Sequence, residues 1–155
     1  MLDKILSFLE ETVSSYLLIF SSLLIFGQVI SRKVFSYSPI WSEELARYCI
    51  IWFIFFGSSL AVKKGSHATV DVLVAYLPQT PKKYLEIITN IINLAFSIII
   101  VIAGVLMVLK LKEIGNVTPS LRLPMYVPYL AIPIGCFMMS IRYIEQLIER
   151  LKKFR

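Results

Sequence analysis

Histidine and cysteine are scarce in this chain, with one of the former and two of the latter among 155 residues. A single imidazole, His67, with Asp71 one helical turn away, supplies too few ligands for a metal centre. The pair reads as a structural feature of a loop. Cys49 and Cys136 lie in separate apolar runs, which excludes a CxxC redox pair and leaves them as small packing residues. Charge is missing where it would matter most. Four runs, Thr12–Ser31, Tyr48–Val62, Ile87–Leu109 and Leu123–Ile141, carry no Asp, Glu, Lys, Arg or His near their midpoints. Paths for ions or protons through a bilayer usually need such groups. A basic leader is also lacking: Asp3, Glu10 and Glu11 precede the first run, and no small-x-small cleavage site follows it.

What is present is apolar length. The chain is 57% hydrophobic with a mean hydropathy of +0.76. A helix rises ~1.5 Å per residue, so about 20 apolar residues cross the ~30 Å hydrocarbon core. Three runs reach that length, and the second does so when Leu45–Arg47 is included. The expectation is an all-α membrane protein of four transmembrane helices with short interfacial amphipathic segments. It forms one integral domain over 1–155, with spans at about 13–31, 43–62, 84–110 and 123–142.

Within the first span Ser14, Ser21 and Gln28 recur every seven residues and share a helix face. Asn90, Asn93 and Ser97, continuing from Glu86, form a second polar stripe on the third span. Such stripes favour helix packing over lipid contact. Phe35, Tyr37 and Trp41 suit the headgroup level. Either Ser38–Pro39 or Ser42 can start the second helix, with Glu43 and Glu44 in its first turns and Arg47 placed to pair with both. Trp41, Glu43, Glu44 and Arg47 are the candidate assembly cluster. Further on, Val70, Leu73, Val74 and Leu77 have the spacing of a short interfacial helix ended by Pro78. Gly115 is placed to stop the third helix. Pro124, Pro128 and Pro133 should bend the fourth. From Arg142 onward the sequence is charged and amphipathic, suiting a helix that leaves the membrane.

Sixteen basic residues fix an orientation. With both termini inside, ten lie on the inner side (Lys4, Lys63, Lys64, Lys82, Lys83, Arg142, Arg150, Lys152, Lys153, Arg155) and six outside (Arg32, Lys33, Arg47, Lys110, Lys112, Arg122). The positive-inside rule therefore puts both termini in the cytoplasm. The same placement beside the spans accounts for the +6 formal charge without nucleic acid.

The segment WSEELARYCIIWFIFFGSSLAVKKGSHATVDVL resembles the central signature of the small membrane subunit of tripartite ATP-independent periplasmic (TRAP) transporters, the DctQ-like family. The proline-rich LRLPMYVPYLAIPIG is similar to the family's second marker. The resemblance covers nearly the whole chain and implies a non-enzymatic scaffold subunit in the bacterial inner membrane. Its implied partners are a large membrane subunit, a periplasmic substrate-binding protein and the lipid bilayer. It implies no cofactor in this chain, with sodium and substrate, an organic acid anion, held by the large subunit. The competing readings are a stand-alone four-helix transporter, a thiol-oxidising quinone reductase and a structural subunit of an unrelated complex. The first would need a carboxylate inside the first span, and the second needs cysteine pairs in outer loops.

Overall fold

A stretch free of proline and rich in Leu, Ile, Phe and Ser makes α1 continuous from Leu2 to Val34. In a computed structural model, residues 2–37, 39–64 and 79–152 are described. Helix α2 (Ile40–Lys63) starts directly after Pro39, and α3 (Gln79–Ile114) carries Pro81 in its first turn. In these three helices proline is confined to the edges, where a missing N–H costs no intrahelical hydrogen bond. Ser42 lies inside the first turn of α2 and donates to the Pro39 carbonyl at 2.7 Å. The start at Pro39 is thus the one used. Both α1, of 33 residues, and α3, of 36, are longer than a ~30 Å core needs, so each tilts or projects beyond it.

Gly115 ends α3 with φ +70 and donates to the Leu111 carbonyl at 3.2 Å, so the expected stop falls there. A tight loop follows, closed by Thr118 N–H to the Leu123 carbonyl at 2.8 Å and Met125 N–H to the Asn116 carbonyl at 2.9 Å. The fourth span is broken. A single turn, α4 (Tyr126–Tyr129), leads through Leu130 into α5 (Ala131–Lys152). Pro128 leaves the Pro124 carbonyl without its usual donor, and Val127 N–H fills the gap at 3.0 Å.

The four long helices form a row: α1 packs on α2, α2 on α5, and α5 on α3. No comparable seam joins α1 to α3 among the described residues. Two glycines allow α5 to approach both neighbours. A Cβ on Gly135 would meet Phe55 Cβ of α2 at 2.5 Å. On Gly104 of α3 it would meet Pro133 Cδ at 3.1 Å. The row leaves large apolar side chains open on both flanks, among them Phe20, Leu23 and Phe26 on α1 and Phe96, Ile99 and Ile102 on α3. Exposure on this scale suits acyl chains or a partner, not water. The interfacial helix expected around Val70–Leu77, with His67 and Asp71, lies outside the described residues.

Candidate functional site

Charge enters this row only near its two ends, and each end is built differently. At the end holding the chain termini, Glu10 of α1 and Arg142 of α5 are fully buried, at 0% and 1% exposure, with Nη2 3.0 Å from Oε2. Helix α2 completes the junction. Ser59 donates to Glu10 Oε1 at 2.7 Å, and Lys63 donates to Ser7. Arg142 also donates to Ser7 at 3.1 Å and to Glu145 at 2.9 Å, while Gln146 donates to the Val62 carbonyl. A buried charge is tolerated when it is paired and its remaining hydrogen-bonding capacity is used. Here the two charges are paired, Ser7, Ser59 and Glu145 take up much of the remaining capacity, and the cluster ties three helices at one point.

Sequence reading missed it. Glu10 registers there only as an acid in the wrong place for a leader, and Arg142 as the first residue of a solvated tail. One signal was available: Ser7, Glu10 and Ser14 share a helix face by their i, i+3 and i+7 spacing.

At the opposite end the expected three-way cluster divides. Arg47 donates to Glu43 at 3.1 Å, and both stand in the open at 66% and 61% exposure. Glu44 turns away from Arg47. Its Oε1 accepts from the Tyr48 hydroxyl at 2.6 Å, and its Oε2 accepts from the backbone N–H groups of Ser120 and Leu121 at 2.8 and 3.2 Å. That carboxylate clamps the α3–α4 loop onto α2 and has its acceptor capacity occupied by this chain. Trp41 is exposed. Beside these residues a half-open groove of about 440 Å³ runs between α2 and the start of the fourth span, with Tyr48, Ile51, Met125, Pro128 and Ile132 in its lining.

Ser14 and Ser21 are buried on the α2-facing side of α1, but their hydroxyls donate within α1, to the Glu10 carbonyl at 2.6 Å and the Leu18 carbonyl at 3.0 Å. Small size, not interhelical bonding, is what they supply. Gln28 is half-buried. On α3 the stripe meets α5: Ser97 and Ser140 hydroxyls lie 2.9 Å apart and within 2.7 and 2.9 Å of the Cys136 carbonyl. Lower on the same seam Arg150 pairs with Glu86 at 3.3 Å. Asn90 is buried there, neither side-chain atom having a hydrogen-bond partner among the described residues, and Asn93 is half-buried beside it. Among the described residues no cluster of His, Cys, Asp and Glu could hold a metal ion.

Four helices long and apolar enough to cross a bilayer, with charges confined to their ends, define a multi-pass membrane protein with no ionisable centre in its spans. The profile of the tripartite ATP-independent periplasmic transporters, DctQ component, matches residues 21–153, and the chain belongs to that family. It is 31% identical over 141 residues to a putative TRAP transporter small permease protein of Haemophilus influenzae, covering 91% of this chain and 86% of that one. It is 30% identical over 106 residues to the C4-dicarboxylate TRAP transporter small permease protein DctQ of Rhodobacter capsulatus, covering 68% of this chain and 47% of that protein. The isethionate TRAP transporter permease protein DctMQ of Oleidesulfovibrio alaskensis matches at 25% identity over 115 residues, covering 74% of this chain and 18% of that protein. The chain thus spans about half of one of these relatives and under a fifth of another.

Proposed function

We propose that this chain is the static scaffold subunit of a sodium-coupled, binding-protein-dependent importer of an organic acid anion. In this reading it is a single membrane domain in the bacterial inner membrane with both termini in the cytoplasm. It works with a large membrane subunit that holds sodium and substrate and with a periplasmic binding protein, and has no catalytic role of its own. The observation that carries the reading is the satisfaction of its charges within the chain. Glu10, Arg142 and Glu44 are occupied by intramolecular partners outside the uncharged runs, and the middle of each span is apolar, small or hydroxylated. Nothing there would hold a cation or carry an anion across.

Two features of the relatives support a large partner and a remote substrate site. The chain matches only 18% and 13% of two far longer permease proteins, one named for isethionate and one for sialic acid. Small permeases named for C4-dicarboxylate, ectoine and sialic acid also match. One small-subunit architecture serving such different solutes suits selection elsewhere in the assembly. The test is reconstitution of the full chain in proteoliposomes under an inward sodium gradient. No solute uptake is expected from the chain alone, and uptake is expected when the large membrane subunit and the binding protein are added. Uptake by the chain alone would overturn the reading.

A further inference from the structure

The outer helices of the row carry their uncharged runs at different heights. At the termini end Glu10 of α1 bonds Arg142 of α5. On the far side of α5, Ser140 meets Ser97 and Pro133 lies against Gly104. Helices α5 and α3 therefore pass one another residue for residue, which sets Arg142 level with Ala95. Glu10 is thus level with Ala95, and Ser21 with Leu106. Ser21 is at the centre of the run Thr12–Ser31, whereas the run Ile87–Leu109 is centred on Ile98. The eight residues from Ile98 to Leu106 amount to about 12 Å, so the α1 run lies that much nearer the loop end.

With the helix axes along the bilayer normal, Glu11 is level with Phe96, and Lys110 stands about 21 Å beyond it. Both side chains are exposed. A ~30 Å core takes at least one of them into hydrocarbon, where an exposed charge is disfavoured. A core that ends at Lys110 also puts Tyr16, 70% exposed, at mid-depth. Singly, each helix fits: Glu11 to Arg32 is about 32 Å along α1, and Glu86 to Lys110 about 36 Å along α3. The conflict comes from their offset alone, and leaning the row within its own plane removes it. Three interaxial spacings of about 9 Å separate α1 from α3, so an offset of about 12 Å is levelled by a lean of roughly 25°. The inclined lengths are then about 29 and 33 Å. Helix α2 agrees, because Arg47 reaches back to Glu43 and Glu43 to Lys63 is about 30 Å.

We infer that this chain meets the bilayer through an oblique apolar band, its row leaning roughly 25° in its own plane. Helix α1 is displaced toward the headgroups at the termini end and α3 toward those at the loop end. Tyr16 then lies little more than one turn inside Glu11, its side chain directed toward the N-terminus and the headgroups. The surface fits the acyl core of a bilayer of ordinary thickness, not a thinned one. The inference rests only on the chain residing in a bilayer and is independent of which transporter it serves.

The test places one nitroxide at a time on the full chain carrying Cys49→Ala and Cys136→Ala, reconstituted in dioleoyl phosphatidylcholine vesicles. The labelled variants are Ser15→Cys and Leu23→Cys on α1 and Ile99→Cys on α3, all at exposed positions. Ser22→Cys and Ile98→Cys replace the last two where a labelled chain does not fold. Depth is read from the relative access of oxygen and of a water-soluble nickel chelate to each label. In the leaning row the Ile99 label is expected to match the Leu23 label and to lie roughly 7 Å deeper than the Ser15 label. With the axes along the normal, Ser15 is level with Ile100, one residue from Ile99. A Ser15 label as deep as the Ile99 label, or deeper, therefore overturns the inference.

Discussion

Among the described residues Arg142 and Glu10 are the two largest fully buried side chains, and their value depends on their staying together. Neutralising one leaves the other as an uncompensated buried charge, which costs about 3–5 kcal/mol, whereas replacing both with apolar groups of similar size can be nearly neutral. Glu10→Gln keeps an acceptor for Ser59 but removes the charge facing Arg142, so it should lose stability on that scale, as should Arg142→Met. The double variant Glu10→Met with Arg142→Met should lose much less than the sum. Unfolding of the purified protein in detergent, read as a double-mutant cycle, decides this; additive losses would show that the two groups do not depend on one another. The exposed pair behaves oppositely. With Arg47 and Glu43 more than half exposed, Arg47→Ala should change thermal stability by under ~1 kcal/mol. Residue identity alone did not separate these cases. Both pairs are one acid and one base just outside the uncharged runs, and only packing, through Ser59 of a third helix in one case, made the difference.

At the scale of elements, what was legible followed from local chemistry, and what was not depended on contacts between helices. Prolines at helix edges, Gly115 and the uncharged runs act through their own backbone, so helix identity could be read directly. The partner of Glu44 could not, because the N–H groups it receives lie 76 and 77 residues away in the α3–α4 loop. Nor could the hydroxyls of Ser14 and Ser21, which had the option of bonding to their own helix and took it. The break at Leu130 was foreshadowed by its prolines, Pro128 and Pro133, which flank it. Gly135 sets the packing of α5 most tightly. Gly135→Leu should push α5 from Phe55 and lower assembly or thermal stability markedly, while Gly27→Ala, which meets nothing within 4 Å, should be tolerated. Stability of the two variants that failed to differ would mean that α2 and α5 do not cross closely. The α3–α5 seam offers a more direct check. With Cys49 and Cys136 replaced by Ala, the pair Ser97→Cys and Ser140→Cys should join on mild oxidation, because the native hydroxyls are 2.9 Å apart. Absence of that bond in folded protein would place the helices elsewhere.

The molecule as a whole is a row of helices whose ends differ in kind, and that difference bears on how it sits in a bilayer. The termini end is closed by a buried charge junction; the other end opens into a groove with an exposed ion pair. Neither feature fixes orientation, because orientation follows the distribution of basic residues beside the spans and not their pairing. Ten lie on the termini side and six on the other. Setting aside the ion-paired Arg142 and Arg150 on one side and Arg47 on the other leaves eight against five, so the excess keeps its sign. We propose on this ground that both termini are cytoplasmic, with the α1–α2 turn and the α3–α4 loop on the periplasmic side. Reporters fused after Arg155 and after Asn116 should therefore give a cytoplasmic and a periplasmic signal respectively. The reverse pattern would invert the row, placing the Glu43–Arg47 pair on the cytoplasmic face. A signal from the same side at both positions would contradict the four spans themselves, since an odd number of crossings must separate Asn116 from the C-terminus.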